Sequence, residues 1–175
     1  MELSRTSFRK VMGHFATGVT VVTAHAEGRP WGITVNALSS VSLDPPLVMI
    51  AIDRRRRITP FLRQAGRYAV NILGEDQQEL SDCFAGAEVT PGVEQFCGAA
   101  WHPGETGLVL LDDAIATLEC TVEQTISVGD HDLYIARVDA LDTDERHAVP
   151  LLYYRRRYLR VERARELVPE GRPAD

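Results

Sequence analysis

The sequence predicts a mainly β domain, an antiparallel barrel with a few helices flanking it on the outside. At least six apolar runs alternate or are rich in β-branched residues, whereas only two or three stretches have helical spacing. The predicted strands do not alternate with helices of about 10–15 residues, which argues against a doubly wound parallel sheet. A chain of 175 residues, 45% of them hydrophobic, is large enough to form one such domain around its own core.

The first third of the chain is predicted to hold a helix, a hairpin and a further strand. VTVVTAHA (residues 19–26) and WGITVN (residues 31–36) flank four turn residues and predict the hairpin, and PLVMIAID (residues 46–53) predicts the next strand. An opening helix that ends near Gly18 is predicted from hydroxyl residues that can cap it and from apolar residues at helical spacing, namely Ser4, Thr6 and Ser7, then Phe8, Val11, Met12 and Phe15.

The middle of the chain is predicted to contain two short helices with a strand between them. ITPFLRQA (residues 58–65) is helical in character with a proline in its first turn, and RYAVNIL (residues 67–73) is a strand. EDQQELSDCFA (residues 75–85) is predicted to be a helix with Glu75 and Asp76 in its acidic first turn. Glycines and prolines in residues 86–107 predict a long loop.

Two long strands and a short one complete the predicted domain. AIATLECTVEQTISV (residues 114–128) and DLYIARVDAL (residues 132–141) are joined through a Gly-Asp-His turn, and PLLYY (residues 150–154) is the last predicted strand. Residues 1–165 are therefore predicted to form one domain, and residues 166–175 a flexible tail.

Composition and charge exclude several classes of protein. A net charge of −6 argues against non-specific nucleic-acid binding, and the longest apolar run falls far short of the roughly 20 residues needed to span a bilayer. The N-terminus lacks the apolar segment of a secretory signal. Three cysteines without a CxxC pair suggest neither a disulfide framework nor a zinc site. We therefore expect a cytoplasmic, soluble protein that binds no membrane and no nucleic acid.

Motifs for several common chemistries are missing from the sequence. It contains no GxGxxG after a strand, no GxxxxGK[ST], no HExxH and no GxSxG. Its five histidines are widely scattered, so no spacing predicts a metal site or a nucleophile with an adjacent base. With these chemistries set aside, we expect ligand recognition by backbone amides and hydroxyl groups in loops.

A small and polar stretch, NALSSVS (residues 36–42), is predicted to form the turn between two core strands. Small side chains there would let a planar ligand approach the backbone, and the hydroxyl and N–H groups could bind a heteroaromatic edge or a phosphate. Serine and asparagine also satisfy their own backbone in ordinary turns. The residues leave both interpretations open.

Two further features carry the same ambiguity. Gly129 and Asp130 can form a tight hairpin turn after which His131 begins a strand, or the turn can present the imidazole to a ligand. Two arginine clusters can be solvated surface or anion sites, because arginine suits phosphate geometry. They comprise residues 54–57 and residues 155–157, 160, 163 and 165.

Five segments, in order, resemble the short-chain flavin reductase family, the reductase components of two-component flavin-dependent monooxygenases. They are FRKVMGHFATGVTVVTA, GITVNALSSVSLDPPLVMIAI, RYAVNILGEDQQELSDCFAG, DDAIATLEC and GDHDLYIARV, and the resemblance covers roughly residues 8–158. It implies a split β-barrel of the FMN-binding type, usually a homodimer. It also implies reduction of FMN or FAD with NADH or NADPH, and release of reduced flavin to a separate monooxygenase.

The resemblance also implies the residues of the site. Thr34, Asn36, Ala37, Ser39 and Ser40 would line the isoalloxazine and ribityl groups, and Asp53, Arg54 and Thr59 would lie near the flavin phosphate. Phe84 and Ala85 would close the flavin site, and Gly129, Asp130 and His131 would meet the nicotinamide, with residues 153–158 nearby. No residue is expected to act as nucleophile, acid or base, since the two cofactors carry the redox chemistry. The unbroken arginine run at residues 54–57 departs from many relatives, which place small hydroxyl residues there.

Two other functions are compatible with the residues. A flavin-binding module without reductase activity would keep the polar stretch at residues 36–42 and would not need His131. An arginine-rich docking face for nucleic acid or protein would instead give strongly salt-dependent binding.

Overall fold

The computed structural model describes residues 2–26, 28–86, 96–144 and 149–161. Within them the chain forms twelve strands, three α-helices and one 3-10 turn, so the mainly β prediction is confirmed. The helices are α1 (Arg5–Met12), α2 (Thr59–Ala65) and α3 (Gln78–Phe84), and the 3-10 turn is Phe96–Gly98. The strands are β1 (Thr17–Gly18), β2 (Thr20–Ala26), β3 (Arg29–Val35), β4 (Leu38–Leu43), β5 (Pro46–Asp53), β6 (Arg67–Ile72), β7 (Trp101–Pro103), β8 (Val109–Leu111), β9 (Ala116–Val128), β10 (His131–Thr143), β11 (Leu152–Tyr154) and β12 (Arg157–Leu159).

The main sheet is antiparallel and seven-stranded, in the order β3-β2-β6-β9-β10-β5-β4. Its two edge strands, β3 and β4, are consecutive in the chain and are joined only by Asn36 and Ala37. That connection spans at most about 11 Å, because successive Cα atoms are about 3.8 Å apart. Six strand spacings of about 4.8 Å would separate the edges of a flat sheet by about 29 Å. The sheet must therefore curve enough to bring the end of β3 near the start of β4 at these two residues, which we call the seam.

The main core draws on most strands of this sheet. Side chains from strands across the sheet form one buried cluster with Leu62 of α2, including Ile33, Ile50, Tyr68 and Tyr134. A second cluster packs Val21 of β2 with Phe84 of α3 and Leu111 of β8. Strand β2 therefore buries both of its faces, as its nearly continuous apolar sequence requires.

Most predicted elements are confirmed, but two helix boundaries were wrong. Helix α1 ends at Met12 rather than near Gly18, because the chain turns after Gly13 and β1 pairs with β11 from Thr17 onward. Helix α3 begins at Gln78, so Glu75 and Asp76 precede it. Glu75 instead donates its N–H to the Val149 carbonyl at 3.0 Å, and this pairing delays the helix.

Two segments, one predicted as a turn and one as a loop, contain strands, and one further strand was not predicted. Residues 36–42 are not a turn, since most of them belong to β4, which pairs with β5 along its length. The predicted loop at residues 86–107 contains the 3-10 turn and β7, which pairs with β8. Strand β12 extends the predicted last strand by a hairpin. Residues 87–95 of the predicted loop and the predicted tail at residues 166–175 lie outside the described residues.

The structure also contradicts the expectation of no disulfide. Cys83 and Cys97 are bonded, with their Cα atoms 6.0 Å apart. Their separation of 14 residues matches no short motif, so only the return of the chain against the end of α3 brings them together. Cys120 is free and buried in the main core. None of the helices in the described parts of the chain is long and apolar enough to cross a membrane.

Candidate functional site

A cleft of about 520 Å³ opens beside the edge strand β3. Small-molecule sites usually have volumes of about 300–1,000 Å³, so the cleft is large enough for an organic ligand. Three segments line it: Trp31, Gly32 and Ile33 of β3; Arg55, Arg56, Arg57 and Ile58 after β5; and Phe84, Ala85 and Gly86 at the end of α3. The lining thus combines an apolar part, from β3 and the end of α3, with three successive arginines.

The apolar wall depends on a glycine. A Cβ atom at Gly32 would lie 2.4 Å from Cε1 and 2.7 Å from Cδ1 of Phe84, so this ring packs directly on the β3 backbone. Next to it, Trp31 stacks on Phe61 of α2 with ring centroids 4.1 Å apart. The family resemblance implied that Phe84 and Ala85 belong to the flavin site, and both line this cleft, whereas Gly32 and Trp31 were not among the predicted residues. A glycine inside a strand pattern is the signal that could have indicated the close approach.

The basic rim is held in place by the loop that follows β5. The Asp53 carboxylate accepts from the Arg55 backbone N–H at 3.0 Å and from its guanidinium Nη2 at 2.6 Å. These hydrogen bonds hold the pKa of Asp53 well below its usual value. The Thr59 hydroxyl donates to the Asp53 carbonyl at 3.2 Å. Asp53 and Thr59, both predicted near a phosphate, thus serve the loop itself, whereas Arg55, Arg56 and Arg57 line the cleft.

Arg54 faces the Gly-Asp-His turn. Its guanidinium donates to the Gly129 carbonyl, and its backbone N–H donates to the Asp130 carbonyl at 3.1 Å. Gly129 and Asp130 form the hairpin turn, and His131 begins β10, where it pairs with Asp53. The hairpin interpretation is therefore confirmed. The ligand interpretation remains compatible with it, because the His131 side chain stays 45% exposed.

The imidazole of His131 has a defined partner. Its Nδ1 lies 2.7 Å from Oδ1 of Asp130, so a proton on Nδ1 is donated to this carboxylate and Nε2 is left for other contacts. The hydrogen bond from His131 lowers the pKa of Asp130. Both side chains are partly exposed, as suits groups that meet a ligand from solvent.

Buried hydrogen bonds of Asp132 hold the same hairpin in place. Its side chain is fully buried and accepts hydrogen bonds from Ser127 Oγ at 2.7 Å and Arg63 Nη2 at 2.6 Å. Burial raises the pKa of Asp132, but the hydrogen bonds from Ser127 and Arg63 and the Arg63 charge outweigh it, so the net shift is downward. The start of β10 is thereby fixed to β9 and to α2.

The predicted polar residues lie at the seam and on β4. The Ala51 N–H donates to the Ala37 carbonyl at 3.1 Å, which brings the seam against β5 two residues before Asp53. Asn36, Ala37, Ser39 and Ser40 are all exposed. The seam lies on one side of β5 and the His131 turn on the other, so about two strand spacings, or about 10 Å, separate them.

Thr34, near the seam end of β3, forms a hydrogen bond to α3. Its hydroxyl donates to the Ser81 carbonyl at 2.6 Å. The Ser81 hydroxyl in turn lies 2.9 Å from the Tyr158 hydroxyl, which donates to Asp82 at 2.9 Å. Helix α3, with Phe84 at its end, is thus held against β3 from the side of β12. Among the residues whose positions are described, no cluster of His, Cys, Asp or Glu could hold a metal ion.

Comparison with known proteins gives a consistent result. Residues 12–162 match the family model described as a flavin reductase like domain. The chain is 40% identical over 160 residues to the NADH-dependent FMN reductase AsuE2 of Streptomyces nodosus subsp. asukaensis, covering 90% of this chain and 85% of that protein. It is also 40% identical over 160 residues to the NADH-dependent flavin reductase StyB of Pseudomonas fluorescens, covering 90% and 91%.

Solved structures agree. The native state of the flavin reductase PheA2 superposes with a TM-score of 0.84 at 36% identity, covering 91% of this chain and 99% of that one. The styrene monooxygenase flavin reductase of Pseudomonas putida S12 is 41% identical with a TM-score of 0.77, covering 87% and 95%. With a matched family model over most of its length and relatives well above 30% identity, the chain belongs to the flavin reductase-like family.

Proposed function

We propose that this chain is an NADH-dependent flavin reductase that reduces FMN or FAD and supplies reduced flavin to a separate monooxygenase. Relatives named as NADH-dependent flavin reductases and as the reductase component of a nitrophenol monooxygenase support the activity and the type of partner. The observation that carries the proposal is the cleft, which combines an apolar wall with a row of arginines and lies close to the His131 turn.

The residues of the cleft fit a flavin. A planar, largely apolar ring system suits the wall formed by Trp31, Gly32 and Phe84, and a phosphate or pyrophosphate suits Arg55, Arg56 and Arg57. Residues of β3, the seam and β4 would line the isoalloxazine edge and the ribityl chain through backbone groups and hydroxyls, namely Thr34, Asn36, Ala37, Ser39 and Ser40.

The protein's contribution is to place two planar groups against each other. When both are bound, the nicotinamide supplies a hydride and the flavin accepts it. His131 would orient the nicotinamide: with its Nδ1 proton donated to Asp130, its Nε2 is an acceptor for a carboxamide N–H. Arg54 and Asp132 hold this turn from two sides, and the apolar wall excludes water from one face of the site. Correct positioning is worth several kcal/mol, up to roughly 7–11 in ordered reactions.

We further propose that the curved sheet is a split β-barrel. The two-residue seam between its edge strands supports closure, as does a core cluster that draws on β3 and β5 together. The split would lie at the seam, beside the cleft, where a ligand can reach backbone groups of both edges.

We also propose a homodimer in the cytoplasm, the compartment that supplies NADH. Helix α1 buries none of its residues, and Phe8, Val11 and Phe15 are 59%, 59% and 70% exposed. Exposed apolar faces of this kind are usually covered by a second protein surface. Light scattering at micromolar concentration checks this proposal, and a monomer would contradict it.

The activity is tested anaerobically with purified protein, excess FMN or FAD, and NADH or NADPH, by following the flavin absorbance. Catalytic bleaching of many equivalents of flavin, faster with NADH, is the expected result. If flavin binds but is bleached no faster than by NADH without the protein, the chain is a flavin-binding module instead. If no flavin binds at all, the assignment of the cleft is wrong.

A further inference from the structure

We propose that Cys83 and Cys97 form a reversible thiol–disulfide site, and that its oxidised form raises the affinity of the adjacent cleft for flavin. The inference rests on the proposed function for the identity of the ligand. The position of the pair, the packing around it and the contrast with Cys120 support it.

The pair lies directly behind the cleft wall. Cys83 precedes three residues that line the cleft, beginning with Phe84. On the other side of the disulfide, Phe96 packs edge-to-face on Phe84 with ring centroids 5.0 Å apart. Phe84 is thus held between the Gly32 backbone and the Phe96 ring, and the neighbouring disulfide fixes the distance between the two chain segments.

The second segment adopts an unfavourable backbone conformation. Phe96 and Cys97 have φ angles of 54° and 56°, in the left-handed region that residues with a side chain rarely enter. Such residues persist only where the surroundings hold them. The disulfide, the contacts of the Phe96 ring with Phe84 and Trp101, and the hydrogen bond from the Ala99 N–H to the Phe96 carbonyl hold this turn, and reduction removes the covalent tie.

Access and reactivity distinguish this pair from the third cysteine. Cys83 and Cys97 are both half-buried, so a reductant can reach them from solvent. Cys120 is completely buried, and burial raises the pKa of its thiol to about 12. Exchange chemistry is therefore expected at the pair and not at Cys120.

The exchange needs only an external dithiol. One of its thiolates attacks a sulfur of the pair, the Cys83–Cys97 bond breaks and a mixed disulfide forms. The second thiol of the reductant then displaces the cysteine. The dithiol gives up two electrons and two protons and becomes a disulfide, and both cysteines end as thiols. Reversible disulfides of this kind are typical of redox-sensing proteins in reducing compartments.

Reduction is expected to weaken flavin binding. Once the covalent tie is cut, the turn at Phe96 can relax and Phe84 loses its fixed backing. A bound flavin must then order the wall again, which lowers affinity. We expect the Kd for flavin to rise about three- to tenfold on reduction, an effect of the size that ordering one or two side chains gives.

The test compares oxidised and dithiol-treated wild-type protein. Brief labelling with iodoacetamide, read by mass spectrometry, should modify neither Cys83 nor Cys97 before treatment and both afterwards, with Cys120 unlabelled throughout. Fluorescence titration with FMN and FAD then gives the Kd of each form. The double variant Cys83→Ser, Cys97→Ser is the matched control, and its Kd should be high and insensitive to dithiol.

Four results would overturn the inference. Labelling of both cysteines in untreated, air-oxidised protein would show that the bond does not form, and equal Kd values in the two forms would show that it does not act on the cleft. A dithiol effect that persists in the double variant would place the effect elsewhere. Failure of both forms to bind flavin would overturn the proposed function together with this inference. That result is distinguishable from the second one, in which both forms bind flavin with equal and measurable affinity.

Discussion

Replacing Gly32 with alanine tests the packing of the cleft wall directly. The added Cβ would lie 2.4 Å from Cε1 and 2.7 Å from Cδ1 of Phe84, whereas carbon atoms in contact are normally about 3.5–4.0 Å apart. The Phe84 ring must therefore move by about an ångström or more. It is only 8% exposed and is backed by Phe96, so the movement disturbs the second core cluster as well as the cleft.

The expected cost follows from two opposing contributions. Overpacking a core typically destabilises a protein by about 1–3 kcal/mol. Replacing glycine with alanine also reduces the conformational entropy of the unfolded chain, which stabilises the folded protein by about 0.4–1 kcal/mol. We expect Gly32→Ala to lower the free energy of unfolding by about 1–2 kcal/mol, or the melting temperature by about 2–8 °C for a chain of this size. Flavin affinity should fall as well.

Gly18→Ala is the matched control, because no atom lies within 4 Å of its Cβ position and its φ is not positive. Urea unfolding and flavin titration of both variants make the comparison. Combining Gly32→Ala with Phe84→Leu should recover part of the lost stability if the clash is the cause. Equal stability and equal flavin affinity for the two alanine variants would refute the reasoning.

Three further predictions concern the turn and the rim. His131→Ala should raise the KM for NADH at least tenfold (about 1.4 kcal/mol) with little change in flavin Kd; unchanged kinetics would remove its orienting role. Arg54→Ala should raise the KM for NADH as His131→Ala does, because Arg54 holds the turn. Arg57→Ala should instead raise the flavin Kd and leave the KM for NADH nearly unchanged. Flavin titration and NADH kinetics of both variants separate these roles. The pKa of Asp132 is lowered by folding, so its stabilising contribution is complete above about pH 4 and is lost as the pH falls through the folded-state pKa. Urea midpoints between about pH 3 and 7 should therefore fall less steeply on acidification for Asp132→Asn than for the wild type, and parallel curves would contradict this.

Elements with a strong local signal were predictable. The hairpin β2–β3 and the long strands β9 and β10 follow from β-branched apolar runs on both sides of turn residues. Helix α2 was predicted because proline in a first turn fits a helix, and it does sit near the start of α2. These patterns depend only on neighbouring residues, so no tertiary information was needed.

Strand β4 shows where local signals mislead. Ser39, Ser40 and Ser42 resemble a turn because they are small and polar. An exposed edge strand has the same composition, since it pairs on one side only and does not need an apolar face. The pairing of β4 with β5 depends on tertiary structure, and so does the disulfide between Cys83 and Cys97. Neither could be read from spacing alone.

The arginine run shows the same limit within the candidate site. One of two interpretations of the sequence was an anion site formed by the arginines of residues 54–57, and the family resemblance singled out Arg54. The loop turns successive side chains in different directions, so Arg54 binds the Gly129 carbonyl and Arg55 pairs with Asp53 while also lining the cleft. Charge therefore predicted the place of the rim but not the role of each residue. Arg56 and Arg57, which also line the cleft, are the residues on which we expect a flavin phosphate to depend most.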